Sequence, residues 1–447
     1  MRVKSRIKWI VLGIFAGIVL YGLSHAGVRP AFAETDVLQV SLDDAVSMAI
    51  KTSEDIRIQE NEVARSDSNV RVAKSELLPY ASGSAVWSRN YEYPNIPATA
   101  AIKEYDFNIG ASVDQKLFTF GRIASSISAA KKQFEASCWD KETTNQDVIY
   151  IAKTSYYNAC LAKRTLGIVQ ESYRHVQENK AILEDRSSSG RASKYDNIKM
   201  AADMASRIPM LSNARAALNY ALETLKRVIG VDSQTQINIA DGFDAEYILL
   251  DRQALTDELL SRQPALKALK TGVGAAQDMI WQKRAEYFPE LSAFSTWSNK
   301  GSSNKSDIRS ENLHDYGIIG LKVAMPIFEG GRRLEAVQQA KLDKSIAELN
   351  LKKLTKDLLL ELDSAVVVYN EYVNTLHSYY ESVRLASESF KLSQDMFHSG
   401  QISITDLNTA ELLLTQEMLN RETALFNINE TLAKIKKLTV QEPEKDE

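Results

Sequence analysis

Residues 105–117 read Tyr-Asp-Phe-Asn-Ile-Gly-Ala-Ser-Val-Asp-Gln-Lys-Leu. Tyr105, Phe107, Ile109, Ala111, Val113, Gln115 and Leu117 alternate with Asp106, Asn108, Gly110, Ser112, Asp114 and Lys116. A period of two over a dozen residues specifies a β-strand with one apolar and one polar face. The run also matches the roughly 9–11 residues that a tilted strand needs to cross a bilayer. Further along, Ile319, Leu321, Val323, Met325 and Ile327 alternate with Gly320, Lys322, Ala324 and Pro326 in the same way. Weaker, aromatic-bearing strands precede the two, so the expected strands are about 80–91 and 105–118, then 290–300 and 315–327. Polar loops at 92–104 and 301–313 separate the members of each pair.

The two strand pairs belong to a tandem duplication. At an offset of 210 residues Pro79 meets Pro289, Trp87 meets Trp297, Val113 meets Val323 and Phe118 meets Phe328. Gly121-Arg122 meet Gly331-Arg332, Ser189-Gly190 meet Ser399-Gly400, Ser193 meets Ser403, and Asp196 meets Asp406. The identities fall mainly at Gly, Pro, Trp and chain reversals, as expected of one structural unit used twice. The units are 34–229 and 252–440, joined by a linker at 230–251 and followed by a charged tail at 441–447.

Helices fill the remainder of each unit. A helix at 42–77 stops before Pro79 and one at 254–286 before Pro289, because the residue ahead of proline leaves the α region. Long helices at 122–186 and 332–397 contain no proline. In the second, Leu351, Leu354, Leu358, Leu362, Ala365, Tyr369, Tyr372, Leu376, Tyr379, Val383, Ala386 and Phe390 keep steps of three and four, the mark of a supercoiled seam. Asn370 falls outside that seam. Such a helix reaches roughly 100 Å at 1.5 Å per residue. Gly190 and Gly400 reverse the chain into helices at 193–228 and 403–438.

The N-terminus reads as a secretory signal: Arg2, Lys4, Arg6 and Lys8, an apolar stretch, and Ala31-Phe32-Ala33 for cleavage after residue 33. Removing the signal lowers Lys plus Arg from 54 to 49 against 58 acids, a net charge of −9. That balance argues against nucleic acid as a partner. Cys138 and Cys160 on one helix lie roughly 33 Å apart and cannot pair within the chain. After residue 33 no run of about 18 apolar residues occurs, so a membrane span would have to be built from strands. The five histidines have no metal-ligand spacing, and no nucleophile elbow, P-loop or dinucleotide motif is present. The expectation is no enzyme, no catalytic residue, no metal and no cofactor. Four strands cannot close a barrel, whose minimum is about eight, so strands must be pooled between chains. Two copies make eight and three make twelve. A non-conducting coiled-coil structural protein or adhesin of the envelope is the alternative, and it leaves the strand alternation unexplained.

Leu117-Phe118-Thr119-Phe120-Gly121-Arg122 and Pro326-Ile327-Phe328-Glu329-Gly330-Gly331-Arg332 stand at the two strand-to-helix junctions. With Pro79, Pro289 and the turns Gly190-x-x-Ser193-x-x-Asp196 and Gly400-x-x-Ser403-x-x-Asp406, they resemble the TolC family of outer-membrane efflux proteins. The resemblance implies a mainly α protein with β-strands. It would be a homotrimer with a shared 12-stranded β-barrel in outer-membrane lipid, continuous with a periplasmic α-helical barrel. It further implies a passive duct of a tripartite efflux or type I secretion system, working with a periplasmic adaptor and an inner-membrane transporter. Residues 230–251 would belong to an equatorial region. The turn tips Gly190, Ser193, Gly400 and Ser403 would meet the adaptor. Asp196, Asp406, Phe397 and Ile402 would form the gate at the lumen constriction. Phe397 and Ile402 stand where the family has a tyrosine and an arginine, so closure by apolar contact is expected. Both Ser-x-x-Asp steps also have capping-box spacing, which gives each aspartate a local role as a helix cap.

Overall fold

The computed structural model describes residues 37–91, 103–188, 190, 192–240, 243, 247–306 and 313–440. The signal at 1–33, the tail at 441–447, Ser189 and parts of the strand loops and linker lie outside the described residues.

Four strands, β2 (Tyr80–Arg89), β3 (Tyr105–Phe118), β5 (Glu290–Ser303) and β6 (Leu313–Ala324), form one antiparallel sheet in the order β2-β3-β5-β6. The alternation expected from sequence holds through β3. The second pair differs at its ends: β5 runs on to Ser303, and β6 stops at Ala324 rather than reaching Ile327. Pro326 explains the early stop, since proline cannot donate to the ladder. A bulge at Leu117 shifts the β3–β5 register between Lys116 and Phe118, where β3 leaves the sheet.

The initial helix of each unit is two helices. In the first, α1 (Leu42–Thr52) and α2 (Glu54–Ser75) part at Ser53, whose hydroxyl caps the Ile56 N–H. In the second, α5 (Arg252–Arg262) and α6 (Pro264–Ala285) part at Gln263. Pro264 at the first helical position was the sequence signal for that break. The long helices are α3 (Arg122–Ser188) and α7 (Arg332–His398), each returned by a shorter helix, α4 (Lys194–Ile229) and α8 (Ile404–Thr439).

Near the sheet the helices lie in the order α2-α3-α6-α7; toward the turns the order is α4-α3-α8-α7. Polar ties such as Ser128 to Asp278, from α3 to α6, fasten the first layer, and Arg164 to Glu422, from α3 to α8, the second. Between the two units β1 (Leu38–Val40) pairs in parallel with β4 (Ile237–Ile239) of the linker, with α1 packed against the pair. Val40, Ile239, Phe243, Tyr156, Tyr157, Cys160, Leu225 and Leu425 form the core there. Burial pushes the Tyr157 phenol up to about 12. Cys160 is buried there, its thiol donating to the Ala240 carbonyl at 3.7 Å, and Cys138 is exposed.

The α7 seam agrees with its heptad reading. Leu362, Ala365 and Tyr369 are buried, with Leu351, Leu354, Leu358, Tyr372 and Leu376 packed beside them. Asn370 is a correction to the simple wheel. Its amide accepts from Leu250 N at 3.0 Å and donates to Leu250 O at 3.1 Å, docking the end of the linker onto α7.

Candidate functional site

The sheet is the first part of the site. Register places Ala81, Ala85, Trp87, Phe107, Ile109, Val113, Trp297, Ile319, Leu321 and Val323 on one face. Trp87, Ile109, Trp297, Ile319, Leu321 and Val323 are all exposed. The other face carries Ser82, Asp106, Asn108, Ser112, Asp114, Lys116, Lys300 and Lys322; Ser82 and Ser112 share a 2.9 Å hydrogen bond across strands. Among the described residues no element covers the apolar face, and β2 and β6 each pair on one side only. A sheet with an uncovered apolar face and two open edges is complete only in lipid and in company.

The duplicated tryptophans report its inclination. Trp297 lies opposite Ala111, hence in the row of Gly83, four residues nearer the helices than Trp87. Taken as one interfacial belt, that step of ~14 Å across two strand spacings of ~10 Å tilts the strands by roughly 55°, in the same steep sense as the ~45° of membrane strands. Beyond Trp297 the same face turns polar, where Asn299 donates to Asp315 at 2.7 Å. At the opposite end Phe118 meets Phe120 edge-to-face with centroids 4.7 Å apart, and Phe120 stacks on Phe288 at 5.2 Å. Phe120 has φ 48°, where the second copy has Gly330 at 58°. Arg122 anchors this junction by donating to Glu76 and to Glu290, the latter at 2.8 Å.

The second part of the site lies at the far end of the long helices. Gly190 (φ 71°) and Gly400 (φ 78°) make the turns in the left-handed region that glycine adopts without strain. Ser193 and Ser403 cap the returning helices. Each accepts from the N–H of its aspartate, at 3.1 and 3.2 Å, and each aspartate accepts from the serine N–H and hydroxyl in return. Both capping boxes anticipated from the spacing are therefore complete. The Ser403 hydroxyl, then its N–H, with help from nearby Lys199, hold the Asp406 carboxyl below its usual range.

Phe397 departs from the expectation of a gate contact. It is 2% exposed and packs with Leu183, Met200, Phe390, Ile404 and Leu407, contributed by all four helices, with Ile402 half-buried at the edge. Its ring fills the core of one chain's bundle because α7 turns that face toward α3 and α8. Arg186, unmarked in the sequence reading, bridges the turns instead. Its guanidinium stacks 4.4 Å from the Phe397 ring and donates to the carbonyls of Phe397 and His398 at the end of α7. A cation on terminal carbonyls also complements the helix dipole. No local pattern could have revealed this contact, which joins residues 211 and 212 positions apart.

Among the described residues no three His, Cys, Asp or Glu side chains group as metal ligands, and no helix is long and apolar enough to cross a membrane.

A profile of the family described as outer membrane efflux protein matches residues 45–231 and again 255–439. The second match starts 210 residues after the first, the offset of the internal repeat. The cation efflux system protein CusC of Escherichia coli is 23% identical over 91% of this chain and 84% of its own length. The pyoverdine export outer membrane protein OpmQ of Pseudomonas aeruginosa is 23% identical over 83% of this chain and 79% of its own. Among solved structures, the CmeC outer membrane channel of Campylobacter jejuni superposes with a TM-score of 0.79 at 18% identity, covering 89% of this chain and 85% of that one.

Proposed function

The chain belongs to the outer membrane efflux protein family and is an outer-membrane export channel reaching into the periplasm, and from that premise we propose that three copies pool their sheets into one 12-stranded barrel. The observation that carries this reading is the four-stranded sheet, which among the described residues has an uncovered apolar face and two unpaired edges. The helices add a second. On α7, Leu342, Ile346, Leu349, Leu360 and Val367 are exposed at heptad-compatible steps, on the side opposite the buried seam. Ile58 and Val72 on α2, with Ile198 and Tyr220 on α4, are exposed along the other edge of the layer. Joining unlike edges of neighbouring copies closes a helical tunnel below the barrel.

As a passive duct of a tripartite efflux or secretion system, the protein catalyses no reaction. Its energy comes from an inner-membrane transporter, reached through a periplasmic adaptor that meets the tips around Gly190, Ser193, Gly400 and Ser403. Asp196 and Asp406 supply six carboxylates to the closed periplasmic end of a trimer. In a narrow opening these favour cations, because low local dielectric strengthens each interaction. Phe397 and Ile402 serve that end from within, by holding the two hairpins together. The purified protein should migrate as a cross-linked trimer and conduct ions across planar bilayers. A protein that partitions away from vesicles and carries no current would rule the reading out.

A further inference from the structure

Near the turns, α3–α4 and α7–α8 are two hairpins packed into one four-helix bundle whose core is mostly aliphatic and aromatic. Charge appears where α4 faces α8. Arg207 and Glu411 pair there with side chains 5% and 1% exposed. Arg207 also donates to Ser172 on α3 at 2.6 Å, and Thr415 donates to the other Glu411 oxygen at 2.8 Å. One turn closer to the tips, Asn408 donates to Asp203 at 2.6 Å, again from α8 to α4. Pro209, two residues beyond Arg207, lies inside α4 and has no N–H to offer the Ala205 carbonyl.

A buried ion pair seldom stabilises a fold more than well-packed apolar residues of the same volume. It has two other consequences. It is satisfied in a single register of the two helices, and removing one partner strands the other charge away from water. When the hairpins separate and water enters, both groups are solvated, whereas an apolar seam would resist exposure. The proline leaves α4 least constrained in the very turn that carries Arg207.

We propose that Arg207 and Glu411 form a buried latch between the hairpins, which holds the periplasmic end shut and sets the line along which it parts. This rests on the reading of that end as the gate. The latch lies well inside the bundle, apart from the aspartates at the tips, and its polarity makes closure reversible by hydration.

The test uses the full-length trimer in planar bilayers, with thermal melting and circular dichroism to establish that each variant is folded. R207M/E411L, which replaces the pair by apolar side chains of similar size, should melt higher and conduct at least about fivefold less. E411Q should melt lower and conduct more, and the exchanged pair R207E/E411R should return toward wild-type current. Folded R207M/E411L channels with wild-type current, or E411Q channels that melt lower with unchanged current, would overturn the latch while leaving the gate in place. Wild-type channels that stand permanently open would remove the gate itself, and the latch with it.

Discussion

Ser403 and Asp406 show how one residue pair completes a helix cap and still leaves a carboxylate oxygen outside it. Capping occupies one Asp406 oxygen, Oδ2, and the side chain remains exposed. Ser403→Ala should cost about 1 kcal/mol, as loss of a helix N-cap generally does. Because the folded pKa of Asp406 is lowered, its share of the cap is fully present above the ordinary value of about 4 and is lost as pH falls through the folded one. The stability gap between wild type and Ser403→Ala should therefore shrink in acid, as pH-dependent melting will show. Asp406→Asn should lower cation preference in bilayers. Unchanged selectivity would confine the carboxylate to capping. Phe397→Ala, which empties a packed core position, should destabilise by roughly 3–5 kcal/mol in chemical denaturation.

Among the elements, β3 and α7 make opposite uses of periodicity. Ile109 and Asn108 are neighbours in sequence but lie on opposite faces of the sheet, which the proposed barrel turns to lipid and to lumen. Ile109→Lys should cost on the order of 2–4 kcal/mol of membrane insertion near the midplane, and Asn108→Lys much less. Cysteine labelling that found both faces equally open to water would contradict the assignment. In α7, Tyr369 is 1% exposed, so Tyr369→Ala should lose about 3–5 kcal/mol. Asn370→Ala should also destabilise, by about 1 kcal/mol per hydrogen bond lost to Leu250. Exposed Lys352→Ala, by comparison, should stay within about 0.5 kcal/mol. Equal losses at all three positions would mean that the seam is misplaced.

At the scale of the molecule the open edges dominate. The α7 stripe and its counterpart on α2 and α4 expose large apolar side chains in rows, and among the described residues the strands at both sheet edges lack a second neighbour. In the proposed trimer such edges are filled by identical copies in a closed ring. Leu349→Glu combined with Leu360→Glu should leave the helix content unchanged while shifting the protein from trimer to monomer in sedimentation or cross-linking. A trimer that survived both changes would place the subunit contact elsewhere.

Sequence alone determined the repeat, the strand faces, the chain reversals and both capping boxes. Each is written within a few residues, or in a period of two or three-and-a-half, and local sterics translate such patterns directly. The alternation in β3 and the paired Gly-x-x-Ser-x-x-Asp turns needed no distant partner to be read. The breaks at Ser53 and Gln263 were also local, the latter signalled by Pro264, yet a continuous apolar pattern hid them. Tertiary structure decided the rest. It turned Phe397 into the bundle, set Arg186 on the carbonyls of α7, gave Asn370 a partner in the linker, and brought Arg207 to Glu411 from 204 residues away. Those contacts depend on which long helices lie side by side and on the rotation of each about its axis, and no stretch of sequence records either.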